Sequence, residues 1–172
     1  MKLIALLTVM GLAAASSLAS AQTYDANLDP FQEVPPHNTP GYGSADLSFD
    51  TTTSTLSITA GTGVYADLLA GATTVRISDA PVGSNGPTVF LLNLDTPGNT
   101  SGTFSGSGTL TSAQITDLNN GNLYINIADS VFPSGEIRGQ ILATPEPSTW
   151  ALLLGGLSLL AFGRLRARRT VF

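Results

Sequence analysis

Glu136-x-Arg138, flanked by Gly135 and Gly139, is the most chemically distinctive short pattern in this 172-residue chain. Residues two apart on a strand share a face. A carboxylate and a guanidinium at that spacing can therefore close a bidentate clasp that ties a sheet together, with ligand contact as the other use open to them. His37 is the single histidine and cysteine is absent. It sits in the stiff stretch Pro35-Pro36-His37-Asn38-Thr39-Pro40, and with no second His or Cys it offers neither a nucleophilic triad nor a zinc site. No Gly-x-Ser-x-Gly stands where a strand turns into a helix. Asp79, Asp95, Asp117 and Asp129 have the oxygens calcium prefers, but no Asp-x-Asp-x-Asp-Gly loop arranges them. Paired carboxylates for glycoside hydrolysis stay open, because that pairing is spatial. No catalytic residue, cofactor or metal is assigned from these patterns.

The elements that must position these residues read as strands. Ala45, Leu47 and Phe49 alternate with polar residues, as do Leu56 and Ile58, Val75 and Ile77, Val89 and Leu91, and Leu123, Ile125 and Ile127. Asn85-Gly86-Pro87, Pro97-Gly98-Asn99, Asn120-Gly121 and Pro133-Ser134-Gly135 separate them, placing Gly where a positive φ costs little and Pro where φ is fixed. One short helix is expected after Thr111-Ser112-Ala113-Gln114, which has capping-box spacing; Leu110 and Ile115 can staple it and Asn120-Gly121 can stop it. Residues 101–108 are rich in Gly and Ser with Phe104 alone to bury, which predicts a weak or edge strand, or a loop. The pattern predicts an all-β fold, an antiparallel sandwich of Greek-key, immunoglobulin-like or superoxide-dismutase-like type with one short helix.

Both ends carry addresses. Lys2, the apolar residues 3–15 and the small-x-small site Ala19-Ser20-Ala21 read as a secretory signal peptide over residues 1–21, too short to span a bilayer. At the other end Pro145-Glu146-Pro147 precedes an apolar run, residues 150–162, and then Arg164, Arg166, Arg168 and Arg169. A transmembrane helix over residues 149–163 reaches about 22 Å at about 1.5 Å per residue, short of the roughly 30 Å hydrocarbon core. Such a helix anchors weakly, and its arginines halt it on the cytoplasmic side. The prolines keep the helix from propagating upward, so the backbone of residues 145–147 stays open to a peptidase.

Between these addresses lie residues 22–144, one domain in size. Eleven acidic residues face two cations, Arg76 and Arg138, for a net charge of −9, which excludes nucleic acid as a partner. With no disulfide available to an exported chain, the domain must stand on its own apolar core.

The segment Pro145-Glu146-Pro147-Ser148-Thr149-Trp150-Ala151-Leu152-Leu153, with the helix and arginine tail over residues 145–172, resembles the PEP-CTERM sorting signal read by exosortases of Gram-negative bacteria. Phe31-Gln32-Glu33-Val34-Pro35-Pro36, Ser84-Asn85-Gly86-Pro87, Leu123-Tyr124-Ile125-Asn126-Ile127 and Ser134-Gly135-Glu136-Ile137-Arg138-Gly139-Gln140-Ile141 together resemble the CHRD domain, named for repeats in chordin. The resemblance implies signal peptidase and an exosortase-like peptidase as processing partners and the inner membrane as a transient one. It implies an exported destination at the cell surface or in extracellular matrix, where exopolysaccharide or envelope proteins are the possible partners. Family members usually carry a His-x-His before the Asn-Gly-Pro turn and another His after the Tyr-x-Asn strand; Arg76, Ser78 and Ala128 stand there instead. A family metal site is therefore expected to be absent, which turns the expectation from a metal-dependent or small-ligand-binding sandwich toward a non-catalytic structural or adhesive module.

Overall fold

The computed structural model describes residues 21–144 and 155–158. Residues 1–20 of the expected leader, Ala19 among them, lie outside these, while its last residue, Ala21, is a strand residue; Pro145, Glu146, Pro147, Arg164, Arg166, Arg168 and Arg169 lie outside as well, and of the expected membrane helix only residues 155–158 are described, and they are helical. Among the described residues no helix is long and apolar enough to cross a membrane.

Nine antiparallel strands form the domain: β1 (Ala21–Leu28), β2 (Tyr42–Asp50), β3 (Thr55–Ala66), β4 (Ala72–Asp79), β5 (Thr88–Leu94), β6 (Gly102–Thr109), β7 (Leu123–Asp129), β8 (Ile137–Gln140) and β9 (Leu142–Ala143), with one helix, α1 (Ser112–Asn119), between β6 and β7. Their order is β8-β7-β4-β5-β6-β3-β2-β1-β9. The sheet nearly closes, because Asp29, just past β1, exchanges backbone bonds with Arg138 of β8 (3.0 and 3.1 Å). Between β5 and β6 the ladder is thin, limited to Asn93 with Ser105 and Leu94 with Phe104.

Alternation places the core. Leu47, Phe49, Leu56, Ile58, Val75, Ile77, Ile125, Ile127 and Ile137 join Phe104, Leu110 and Leu118 in one apolar cluster. α1 closes one end as its sequence dictates: Thr111 accepts from the Gln114 amide (3.3 Å), the Gln114 side chain accepts from the Thr111 amide (2.9 Å), and Asn120 caps the far end.

Two strand expectations are corrected. The buried residue of β5 is Leu92, with Val89, Phe90 and Leu94 half-buried against the core, so Val89 does face inward while Leu91 is 65% exposed. The register shift between β4 and β5 at Ile77/Ser78 helps set which face turns inward. Likewise 102–109 is an interior strand, not an edge. Its glycines are needed there: a Cβ at Gly108 would stand 2.4 Å from the Phe90 ring.

Candidate functional site

Many of the family-motif residues, Glu33, Asn85, Gly86, Tyr124, Asn126, Arg138 and Gln140 among them, converge on the outer face of β4, β7 and β8, opposite the apolar core. Register pairs Arg76 with Asn126, Ser78 with Tyr124, Tyr124 with Gln140 and Asn126 with Arg138. Since period two sends these side chains away from Ile77, Ile125 and Ile137, they build a second, polar layer. It is not open to solvent: Ser78, Asn126, Glu33, Arg138 and Gln140 are all buried.

Two irregular segments cover the layer. Asp29 caps a single 3-10 turn, Pro30–Gln32, by accepting from the amides of Phe31 (2.8 Å) and Gln32 (3.1 Å). That turn delivers Glu33 inward, where its Oε1 accepts from Asn126 Nδ2 at 2.6 Å. The loop after β4 meets it from the other side: Asn85 Nδ2 donates to the Val34 carbonyl (2.8 Å) and the Gly86 amide to the Tyr124 hydroxyl (3.1 Å). Pro87 receives the Asp79 amide (3.1 Å). Pro35 and Pro36 lie on the surface.

Arg138 is the hub. It is fully buried, with its guanidinium 3.5 Å over the Tyr124 ring, and it donates to the carbonyls of Ser84 (2.7 Å) and Pro81 (3.3 Å) and to Gln140 Oε1 (2.9 Å). Gln140 passes the network on to the Gly121 carbonyl (2.6 Å). The expected clasp between Glu136 and Arg138 is therefore corrected. Glu136 precedes the β8 ladder and turns to the opposite end of the domain, where both its oxygens accept the Leu69 amide (3.1 Å). Beside it, Asp129 collects the amides of Ala70 (2.9 Å), Val131 (2.9 Å) and Phe132 (2.5 Å). Arg138 and Glu136 each bind a loop rather than each other.

Burial sets the charge states. Desolvation pushes the Glu33 carboxyl up to about 7, against the pull of Arg138, the Val34 amide and Arg76. Glu136 is raised by burial too, with Asp129 adding to the rise. Burial lowers Arg138, while Tyr124 and Glu33 act the other way.

Glycine is required at three points of this layer, Gly139, Gly135 and Gly86. Gly139 runs under β1, where a Cβ would meet the Asn27 carbonyl at 2.5 Å. Gly135, at φ +143°, would put a Cβ 2.1 Å from Asn126 Nδ2 and 2.5 Å from Glu33 Oε1. Gly86 takes no positive φ but is required by space, since a Cβ there would stand 1.8 Å from the Asp79 carbonyl; the positive φ of this loop is at Gly83, +79°.

Arg76, Ser78 and Ala128 share this outer face but are spread along it, Ala128 beside Thr74, Arg76 beside Asn126 and Ser78 beside Tyr124. They do not suit a divalent ion: Arg76 donates instead to the Ser134 carbonyl, and no group of three His, Cys, Asp or Glu side chains gathers among the described residues. His37 packs its ring 4.2 Å from that of Phe132. A depression of about 290 Å³ lies on the surface beside β4 and β5, lined in part by Thr73, Leu91, Asn93 and Pro97. Sequence reasoning named Tyr124, Asn126 and Gln140 only within the family motifs and weighed Asp129 only for calcium, and gave none of them a part in holding the loops. Their signal was present in β7 and β8, where the outward positions Tyr124, Asn126, Ala128, Arg138 and Gln140 are all aromatic, small, amide or charged yet buried.

The model of the CHRD domain matches residues 24–141, most of the chain and all of this polar layer. The chain belongs to the CHRD family. The PEP-CTERM protein-sorting motif matches residues 143–169 and marks this CHRD protein for exosortase-dependent export and membrane-anchored surface sorting in a Gram-negative bacterium. No curated protein and no solved structure matches the chain.

Proposed function

We propose that the CHRD domain works as a non-catalytic structural or adhesive module, held outside the inner membrane before processing and then displayed on the surface or in extracellular polymer. One observation carries this reading: the polar side chains of the family motifs point into a buried layer and are spent on holding loops, with Arg138, Asn126 and Glu33 as the anchors. A catalytic group needs reach to a substrate; these groups reach loop carbonyls and neighbouring side chains. The acidic surface favours neutral or cationic partners over anionic ones. We read the nearly closed sheet as a sandwich whose layers join at β5, which gives loops at both ends for such contacts.

The test is co-sedimentation of purified residues 22–144 with extracellular polymer from the producing cells, with the polymer's chain length measured afterwards. Binding without change in the polymer is expected. Catalytic turnover of the polymer, or of any small substrate screened in parallel, would refute the reading.

A further inference from the structure

With Leu47, Phe49, Leu56, Ile58 and Phe104 turned into the core, alternate residues of β1, β2, β3 and β6 form the outer face of the other half of the sheet. Register lines four of them into one row: Thr23 opposite Ser48, Ser48 opposite Ser57, and Ser57 opposite Ser107. Thr23 and Ser107 are exposed, and the half-buried hydroxyls of Ser48 and Ser57 hydrogen-bond to each other at 2.9 Å. At about 4.8 Å between strands the row spans about 14 Å. Its side chains are short, so the floor is flat and lined with groups that both donate and accept.

A wall runs beside this row. Pairing of β3 passes from Ile58 straight to Gly63, which leaves residues 59–62 opposite Asp46 alone on β2 and Ser105 alone on β6. With the core beneath and a strand on either side, the extra residues bulge outward. Thr59, Ala60 and Gly61 are exposed, and Thr62 ties the bulge down by donating to the carbonyls of Thr59 (2.8 Å) and Asp46 (3.2 Å).

The charge on this shelf is of one sign. Asp25 and Asp46 face each other in register across β1 and β2, at one end of the wall. Like charges directly opposite destabilise a sheet, and no Lys, Arg or His stands on β1, β2, β3 or β6 to offset them. The domain's two cations, Arg76 and Arg138, are on β4 and β8. The Thr144 hydroxyl donates to Asp25 Oδ1 (2.9 Å), while Asp46 is exposed. We propose that this shelf binds an extended amino-sugar polymer laid across the strands, its hydroxyls on the serine and threonine row and an ammonium group between Asp25 and Asp46. Ionised carboxylates only accept, so the pair takes a charged donor. A neutral chain leaves their repulsion in place and a uronate chain adds to it.

This inference deepens the adhesive reading and rests on it. The full chain, in a non-ionic detergent and a mildly acidic buffer where the sugar's amines are charged, is titrated by calorimetry against a linear glucosamine polymer and against the same polymer fully N-acetylated. Tighter binding of the amine form is expected, weakening as salt is raised. Asp25→Asn with Asp46→Asn keeps the shape of both side chains and is expected to weaken that binding roughly tenfold, as two solvent-screened ion pairs would, with a melting temperature unchanged or raised. Ser57→Arg, in the middle of the row, is expected to abolish it. Asp79→Asn with Asp117→Asn removes the same charge from a neighbouring acid pair on β4 and α1 and is expected to bind like the unmodified chain. No binding of the amine polymer, equal binding of the two polymers, an equal loss in both double variants, or a Ser57→Arg chain that binds normally would overturn the shelf and leave the adhesive reading standing. Turnover of either polymer would overturn the adhesive reading, and the shelf with it.

Discussion

Replacing Arg138 by Ala tests the polar layer at its hub. The truncation strips donors from the carbonyls of Ser84 and Pro81 and from Gln140 Oε1, and it removes the cation above Tyr124. Hydrogen bonds from a charged donor contribute about 1.5–3 kcal/mol each, and a desolvated cation–π contact about 2 kcal/mol. Against this, the cost of burying a guanidinium disappears with it, so breaking a buried charged network of this kind nets about 3–5 kcal/mol. In a domain of about 120 residues each kcal/mol moves Tm by about 4 °C, so a fall of about 12–20 °C is expected. Calorimetry of residues 22–144 at neutral pH measures it, with Arg138→Lys alongside. Lysine keeps the charge but cannot fork to three acceptors, so it should recover part of the loss. A fall of less than about 4 °C for the alanine variant would mean that loop 81–84 is held by other contacts and that the hub is misassigned.

The remaining predictions follow from the same layer. Glu33 binds its proton more tightly in the folded state, near 7 against 4.5 for the free side chain. Its contribution is therefore fully present below about 4.5 and is lost as the pH rises through 7, roughly 3 kcal/mol in all. Urea titrations from pH 4.5 to 8 should show that decline, and Glu33→Gln should flatten it; Glu136, raised in the same direction, should keep a residual slope. Gly135→Ala should cost at least about 2 kcal/mol by urea midpoint, since the new Cβ strikes the Asn126–Glu33 bond from a strained backbone; an unchanged midpoint would show that the 130–136 loop can shift freely. Metal analysis of purified residues 22–144 should find no stoichiometric zinc or copper, and a tightly held ion would contradict the reading of Arg76, Ser78 and Ala128.

Local chemistry made much of this legible. The capping box at Thr111 and Gln114, the alternation of β2, β3 and β4, and the inward set of β7 are all properties of a few adjacent residues. What escaped was non-local. In β5, Val89/Leu91 and Phe90/Leu92 are equally apolar, and the choice falls to a register shift against β4 that leaves Val89 as the extra residue. The glycines of β6 read as weakness until the Phe90 ring is seen to need the space at Gly108, and the side chains of Thr96 and Tyr65 that at Gly102. Glu136 and Arg138 look like partners because they are two apart. The loop partners they hold, Leu69 and Ser84, lie 67 and 54 residues away, a distance no spacing rule encodes.

With greasy side chains beneath it and the Arg138 network above, β7 has all seven residues, Leu123–Asp129, out of solvent. Its amides should be the slowest in the domain to exchange with deuterium, because freeing them requires parting both layers at once. Those of β9 should exchange early, so the chain's most durable and its most fleeting hydrogen bonds are separated by a single short strand in sequence.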